Sequence, residues 1–459
     1  MRVLLVRPPH HNPRLGGFMA MEPLSLESVA GAAAGHEVRL LDMQLDRGLD
    51  RELDRFRPDL VGTGGCTADV PGTRRVLARV KQRAPTAFTV VGGQHASVAP
   101  GDFNRPDVDA IVVGIGEPTF AELLRALERR EPLQDVAGLA LPDPGGLRRT
   151  AERPLPPDLD GLPTPRRDLT RRYRWRYRAF GQAVGLLNTA RGCPFRCRFC
   201  SIIRLMGGRY LVKRADRVVA ELSQMPQRYI RLADGNTFAT RRRMRELHDA
   251  IRAAGLNKRF MVDVRADTVA RRPDLIARWR EIGLYLAAVG LESIRPEQLR
   301  RLNKGGTVDD NVEALRILRD NEIRVLGQLM IDPEFTEDDF ERLLDFVQEQ
   351  RIQLPSFLIM TPFPGTPLHD EMRDRLCSGD LSRFDCFHAV LPTRLPLEQF
   401  YRRFLGLYDA SYGTERLARA VRARLSRRGD GELPLLSLAA ARLFLVLNRR
   451  NLLREYGLA

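Results

Sequence analysis

The stretch NTARGCPFRCRFCSI, residues 188–202, sets Cys193, Cys197 and Cys200 within eight positions, with arginines threaded between them. Thiolates crowded on one loop suit zinc or an iron–sulfur cluster. A closed structural zinc site takes four ligands, and the next cysteine, Cys377, is far away in sequence. Three thiolates on a four-iron cluster would instead leave one iron open to a small chelating ligand. Six cysteines in 459 residues make no disulfide framework. In a reducing cytosol such a cluster of thiols is metal-binding or catalytic.

The elements that must carry this loop are readable from periodicity. Residues 1–145 alternate short β-branched runs with helical stretches: RVLLV (2–6), EVRLLD (37–42), LVGTGG (60–65), FTVVGG (88–93) and AIVVG (110–114). Near-continuous apolar strands separated by helices indicate a parallel sheet covered on both faces. The expectation is a doubly wound, flavodoxin-like (Rossmann-type) α/β domain whose ligand lies beyond the strands' carboxyl ends. Residues 146–183, rich in proline and arginine, read as a linker. A second βα series occupies 184–380: GLLNTA (185–190), YIRLAD (229–234), RFMVDVRA (259–266), YLAAVGLES (285–293), IRVLGQLMID (323–332) and SFLIMTPF (356–363). Six such units predict a partial (β/α)6 barrel with its site at the C-terminal ends of the strands. The cysteine loop follows the first of them. Residues 381–459 read as a basic helical region.

Composition narrows the partners. The formal charge is +16, yet only four of the 74 basic residues are lysines (Lys81, Lys213, Lys258, Lys304), and the arginines are scattered through every region. Scatter of that kind argues against nucleic acid, which is held by basic residues gathered on one face. The densest patch, RRDLTRRYRWRYR (166–178), reads as an interdomain strap. The opening MRVLLVR is too short for a signal peptide, so the expected compartment is the cytoplasm. The run LPLLSLAAARLFLVL (433–447) is too short to span a bilayer and leaves room for a membrane-surface contact.

With these residues in view, the chain resembles the cobalamin-dependent radical S-adenosylmethionine (SAM) enzymes. Cys-x3-Cys-x2-Cys with Phe199 before the last cysteine, at the end of the first barrel strand, looks like the radical SAM signature. GGQHASVAP (92–100) and VVGIGEPTFAELL (112–124) are similar to the group's cobalamin-domain segments. VGLES, NKGGTVDDN, TPFPGTPL and FDCFHAVLPTRLP look like its barrel and C-terminal signatures.

The resemblance implies a 4Fe-4S cluster on Cys193, Cys197 and Cys200, with the unique iron chelated by SAM, and an electron donor such as flavodoxin or ferredoxin. It implies cobalamin against Cys66, Thr67, Gly92, Gly93, Gln94, His95, Gly114, Gly116 and Glu117. Glu292 is expected to bind the ribose hydroxyls or ammonium of SAM, and Arg265 its carboxylate. Phe199, Asp234, Asn236 and Gln328 complete the expected SAM site. The implied reaction methylates a carbon of a small molecule: one SAM gives its methyl to cobalamin, a second yields the 5′-deoxyadenosyl radical. A non-methylating ring contraction, cyclisation or rearrangement uses the same motifs.

Two departures from the group matter. No Asp-x-His-x-x-Gly string is present, so cobalamin is expected without a histidine below cobalt; His10 and His11 read as loop residues, and His95 as a corrin-edge or structural contact. ADGN (233–236) stands where the group commonly has a more acidic run.

Overall fold

The computed structural model describes residues 1–11, 20–179 and 181–412; the apolar run 433–447 and the rest of the expected helical region beyond 412 lie outside the described residues. The first sheet has seven strands: β1 (Arg2–Arg7), β2 (Glu37–Asp42), β3 (Leu60–Gly64), β4 (Phe88–Gly92), β5 (Ala110–Val112), β6 (Leu139–Leu141) and β7 (Arg148–Arg149). Their order is β2-β1-β3-β4-β5-β6-β7. The first five pair in parallel; β6 and β7 add an antiparallel edge, which carries this sheet past residue 145. Side chains alternate along β1 into two cores. Val3 and Leu5 join Leu40, Leu60 and Phe120 on one face, while Leu4 and Val6 join Leu41, Val61 and Val76 on the other. Strand order reverses direction between β1 and β3, the point where open α/β sheets leave a crevice for ligand.

The chain then crosses to the second unit as a strap that is anchored rather than loose. Tyr177 is buried and donates to Asp42 at 3.0 Å. Arg167 pairs with Glu221 at 2.7 Å and lies 3.6 Å from Glu22. One guanidinium thus ties the first domain, the strap and the second domain together.

The second sheet is built from β8 (Arg178–Ala179), β9 (Gln182–Leu187), β12 (Tyr229–Leu232), β13 (Arg259–Arg265), β14 (Leu284–Glu292), β15 (Arg324–Ile331) and β16 (Leu354–Ile359). β9 and β12–β16 run parallel and adjacent in chain order, as a six-unit open barrel requires. Between β9 and β12 the short hairpin β10 (Ala190–Gly192) and β11 (Tyr210–Val212) pair antiparallel. Every second residue of these strands packs outward on the helices, in one large core around Trp279, Phe260, Leu318 and Phe357. In β15 the remainder, including Gln328 and Met330, face the half-open interior. Two outer helices, Val308–Asp320 and Glu337–Glu349, start on reciprocal capping boxes, Thr307 with Asp310 and Thr336 with Asp339. The helix Leu397–Tyr412 covers the last strand: Phe400, Phe404 and Tyr408 are buried, and the Tyr408 hydroxyl donates to the Phe357 carbonyl at 2.6 Å.

Candidate active site

The cysteine loop leaves β10 and returns through β11. Gly192, at φ +89°, has no room for a Cβ, which would run into the Arg209 carbonyl; the residue before Cys193 is therefore a glycine because the hairpin closes there. Asp234 at the end of β12 fixes the approach. Its carboxylate accepts from the backbone of Thr189 (2.8 Å) and Ala190 (2.9 Å) and from the Thr189 hydroxyl (2.6 Å), while complete burial pushes it up to about 6. On the other side, Arg198 donates to the Leu302 carbonyl at 2.9 Å, and Asn303 to the Arg196 carbonyl at 2.8 Å.

Cys197 is buried, with Cys193 and Cys200 partly so. Burial raises the Cys193 thiol and, aided by both neighbouring thiols, pushes Cys200 up to about 11. As free thiols Cys193 and Cys200 stay protonated near neutrality; a metal is what makes thiolates of them. Among the described residues no three histidine, cysteine or acidic side chains converge closely enough for one ion. Three thiols within eight residues of one loop match the three protein-held corners of a four-iron cluster, whose fourth iron takes another ligand.

Around the loop the barrel mouth is a set of side chains already bonded to one another. Arg265 at the end of β13 forks onto Asp267, Nε and Nη2 each 2.9 Å from a carboxylate oxygen. Its Nη1 lies 3.0 Å from Cys197 Sγ, and its guanidinium lies over the Phe195 ring at 3.8 Å. Glu292 ends β14 just past a register shift after Gly290, at φ +61°. A non-glycine residue in the left-handed region is strained, and such strain collects at functional sites. Lys304 Nζ holds the Glu292 carboxylate at 2.7 Å, both largely buried. Asn236 donates to Thr268 at 3.1 Å and accepts from the Arg265 backbone at 3.3 Å. Phe199 packs into an apolar cluster with Leu302, Met330 and Met360.

The cavity at the carboxyl edge of the first sheet has quite different walls. It encloses about 410 Å³ between the two domains. Leu5, Val90, Val112 and Phe120 form its floor, Leu26 and Val29 one side, and Gly62, Gly64, Gly65, Gly92, Gly93, Gly114 and Gly116 much of the rest. Gly93 takes φ +95° against the Gly65 backbone, which lets two strand ends meet without side chains. The Thr63 hydroxyl on this wall is buried without a hydrogen-bond partner. An apolar slot floored by bare backbone, with one orphaned hydroxyl, fits the flat ring or tail of a cobalamin. Cys66 and Gln94 also line it. Thr67 and His95 stand behind that wall, bonded to each other at 3.1 Å, with the second His95 nitrogen 2.9 Å from Asp102.

Four residues that the sequence alone leaves unassigned complete the arrangement. Arg191, two residues before Cys193, meets Glu117 of the first domain at 2.5 and 3.0 Å. Ser201, next to Cys200, receives Gln94 Nε2 at 2.5 Å. Arg191, Asn188, Leu205 and Met206 of the second domain complete the cavity wall, so the cavity opens onto the cysteine loop. The others are Asp267 and Lys304. Only Lys304 carried a signal, as one of four lysines in an arginine-rich chain.

The comparisons agree with this anatomy. The family model described as "Radical SAM superfamily" matches residues 187–347, and that described as "B12 binding domain" matches 19–124. The hopanoid C-3 methylase of Methylococcus capsulatus is 33% identical over 406 residues, 86% of this chain and 77% of that one. An uncharacterized methyltransferase of Pyrococcus horikoshii is 30% identical over 382 residues, 80% of this chain and 82% of that one. The anaerobic magnesium-protoporphyrin IX monomethyl ester cyclase of Cereibacter sphaeroides is 28% identical over 411 residues, 85% and 67%. Among solved structures, the cobalamin-dependent SAM radical enzyme OxsB superposes with a TM-score of 0.74 at 15% identity, covering 99% of this chain and 75% of that one. The radical SAM methyltransferase TsrM of Kitasatospora setae gives 0.70 at 18% identity, covering 96% and 99%. At those identities the structures speak for the fold alone.

Proposed function

Because the chain belongs to the cobalamin-dependent radical SAM enzymes, we propose that it methylates a carbon centre of a small molecule, in the cytoplasm, with electrons from a flavodoxin or ferredoxin. The observation that carries this reading is the shared wall: the slot fit for cobalamin opens onto the loop of Cys193, Cys197 and Cys200 through Arg191 and Met206. When bound, the cluster supplies one-electron cleavage of SAM, and cobalamin supplies carriage of a methyl group.

The chain's own residues bind, orient and exclude water. Cys193, Cys197 and Cys200 hold the cluster. Glu292, pinned by Lys304, presents its second carboxylate oxygen to the ribose hydroxyls or ammonium of SAM, while Asn236, Gln328 and Phe199 shape the space beside it. Gln94, Cys66 and the glycine-rich strand ends would hold cobalamin; Thr67 and His95 brace that wall from behind, Asp234 braces the loop, and Glu117 with Arg191 ties the cavity wall to the cysteine-loop hairpin. Arg265 acts on the cysteine loop. Relatives named for methylating hopanoid and bacteriochlorophyllide support a small-molecule acceptor. Among the described residues no helix is long and apolar enough to cross a membrane.

The test is a product balance on reconstituted protein given SAM, cobalamin, a reductant and acceptors drawn from the neighbouring genes' chemistry. The expected result is a product heavier by one methylene unit, with S-adenosylhomocysteine and 5′-deoxyadenosine formed alongside it and deuterium from the reacting carbon in the latter. Methylation with no 5′-deoxyadenosine would replace the radical step by a polar transfer. The cyclase relative favours a second reading, a non-methylating reaction; 5′-deoxyadenosine without S-adenosylhomocysteine or methylated product would establish it.

A further inference from the structure

We propose that Arg265 is a positioning residue that sets the reduction potential of the cluster on Cys193, Cys197 and Cys200, with Asp267 as its counter-charge; this rests on the cluster reading of those cysteines. The guanidinium has five N–H donors. Two are taken by the Asp267 fork at 2.9 Å, one by the Lys304 carbonyl, and one points at Cys197 Sγ from 3.0 Å. The plane is held from one side by Phe195, and Arg265, Asp267 and Cys197 are all buried. A guanidinium so committed offers no free fork to a carboxylate ligand. What it does offer is a fixed, charge-assisted N–H to the sulfur of a cluster ligand.

The sign of the effect follows from charge. Reduction brings one electron from the donor onto the cluster and its sulfurs, with no bond made or broken, and the donor is oxidised by one electron. An N–H donor to sulfur stabilises the more negative, reduced form and raises the potential. Asp267 works the other way. Its negative charge cancels that of Arg265 at longer range, leaving mainly the short-range hydrogen bond. Removing the donor and removing the counter-charge therefore shift the potential in opposite directions, whereas two merely structural residues would not.

The experiment is a mediator titration of the cluster's reduced-state electron paramagnetic resonance signal, on full-length, anaerobically reconstituted protein without substrate, with iron and sulfide content measured in parallel. Arg265→Met should retain the cluster and lower the midpoint by at least a tenfold change in the reduction equilibrium, 59 mV for one electron. Arg265→Lys should fall between Met and wild type, and Asp267→Asn should move the midpoint upward. An unchanged midpoint in Arg265→Met at full cluster content overturns the proposal, as does a shift of the same sign in Arg265→Met and Asp267→Asn. If Arg265→Met holds no cluster, Asp267→Asn decides: a rise supports the proposal and no rise overturns it. Wild-type protein that assembles no four-iron cluster would bring down the reading of the cysteines, and this proposal with it.

Discussion

The two cofactor-facing regions are built on opposite plans. The cavity of the first domain is shaped by what is missing: seven glycines along its wall, an apolar floor and one orphaned hydroxyl on Thr63. The barrel mouth is shaped by what is already joined, Arg265 to Asp267 and Cys197, Glu292 to Lys304, and Asp234 to Thr189 and Ala190. A slot for a large ligand with a flat ring needs room and backbone approach. A site that must aim a small charged ligand at one iron needs its polar groups fixed in advance, because geometry lost at the moment of reaction costs rate. A change of volume should therefore damage the first region, and a change of partner the second.

The largest effect separates them outright. Cys200→Ala should abolish the cluster and all 5′-deoxyadenosine, while cobalamin binding, read by its visible spectrum after gel filtration, stays near wild type. Leu26→Trp is the reciprocal break. Overfilling a packed site costs about 1–3 kcal/mol, so cobalamin affinity should fall roughly tenfold to a hundredfold with iron content unchanged. Loss of both cofactors in either variant would mean that the two regions fold as one site.

Next comes Lys304→Met, which removes a partner but little volume. Glu292 would keep its strained backbone and lose its anchor. Losing one side of a buried charged pair costs several kcal/mol locally, and SAM affinity, measured by equilibrium dialysis on cluster-loaded protein, should drop by about tenfold or more. Unaltered affinity would release Glu292 from the role given to it here.

This pair also marks where the sequence stops being informative. The strands, the cysteine loop and the glycine segments are local patterns, and four of the six barrel runs begin within one residue of observed strands, the exceptions being GLLNTA, three residues late against Gln182–Leu187, and SFLIMTPF, two residues late against Leu354–Ile359. Four of the cavity's seven glycines, Gly92, Gly93, Gly114 and Gly116, stood out because a missing side chain is visible in the sequence itself. The partners did not. Arg265 and Cys197 are 68 residues apart, and Arg191 and Glu117 are 74 apart; only the fold brings them together, and in a chain with 74 basic residues no single arginine stands out. The short edge strands β6, β7, β10 and β11 also went unforeseen, being two or three residues each, too brief for an alternation to register.

The smallest effect on the cofactors belongs to the far side of the cavity wall, where the comparison is sharpest because one helix faces both ways. In Leu24–Gly31, Leu26 and Val29 line the cavity while Glu27 is fully buried under the strap. Burial, reinforced by nearby Glu22, pushes Glu27 up from 4.5 to about 8, against the opposing pull of Thr170 and Arg167, and one of its oxygens has no hydrogen-bond partner. A carboxyl raised in the folded state favours folding while it is protonated in both states. That contribution is complete below pH 4.5 and is lost as pH rises to about 8, each tenfold gain in proton affinity on folding being worth about 1.4 kcal/mol. Glu27→Gln keeps a group that pairs with Thr170 but cannot ionise. Urea midpoints should therefore fall for wild type between pH 6 and pH 8, a window inside the one just given, and fall less for the variant, leaving it the more stable protein at the upper end. Cobalamin affinity should stay within about twofold, since the cavity face is untouched and twofold is under about 0.5 kcal/mol. Equal pH slopes in the two proteins would show that Glu27 stays ionised throughout, held by Arg167; a large loss of cobalamin would show that the strap, and not the glycine slot alone, sets the cavity's shape.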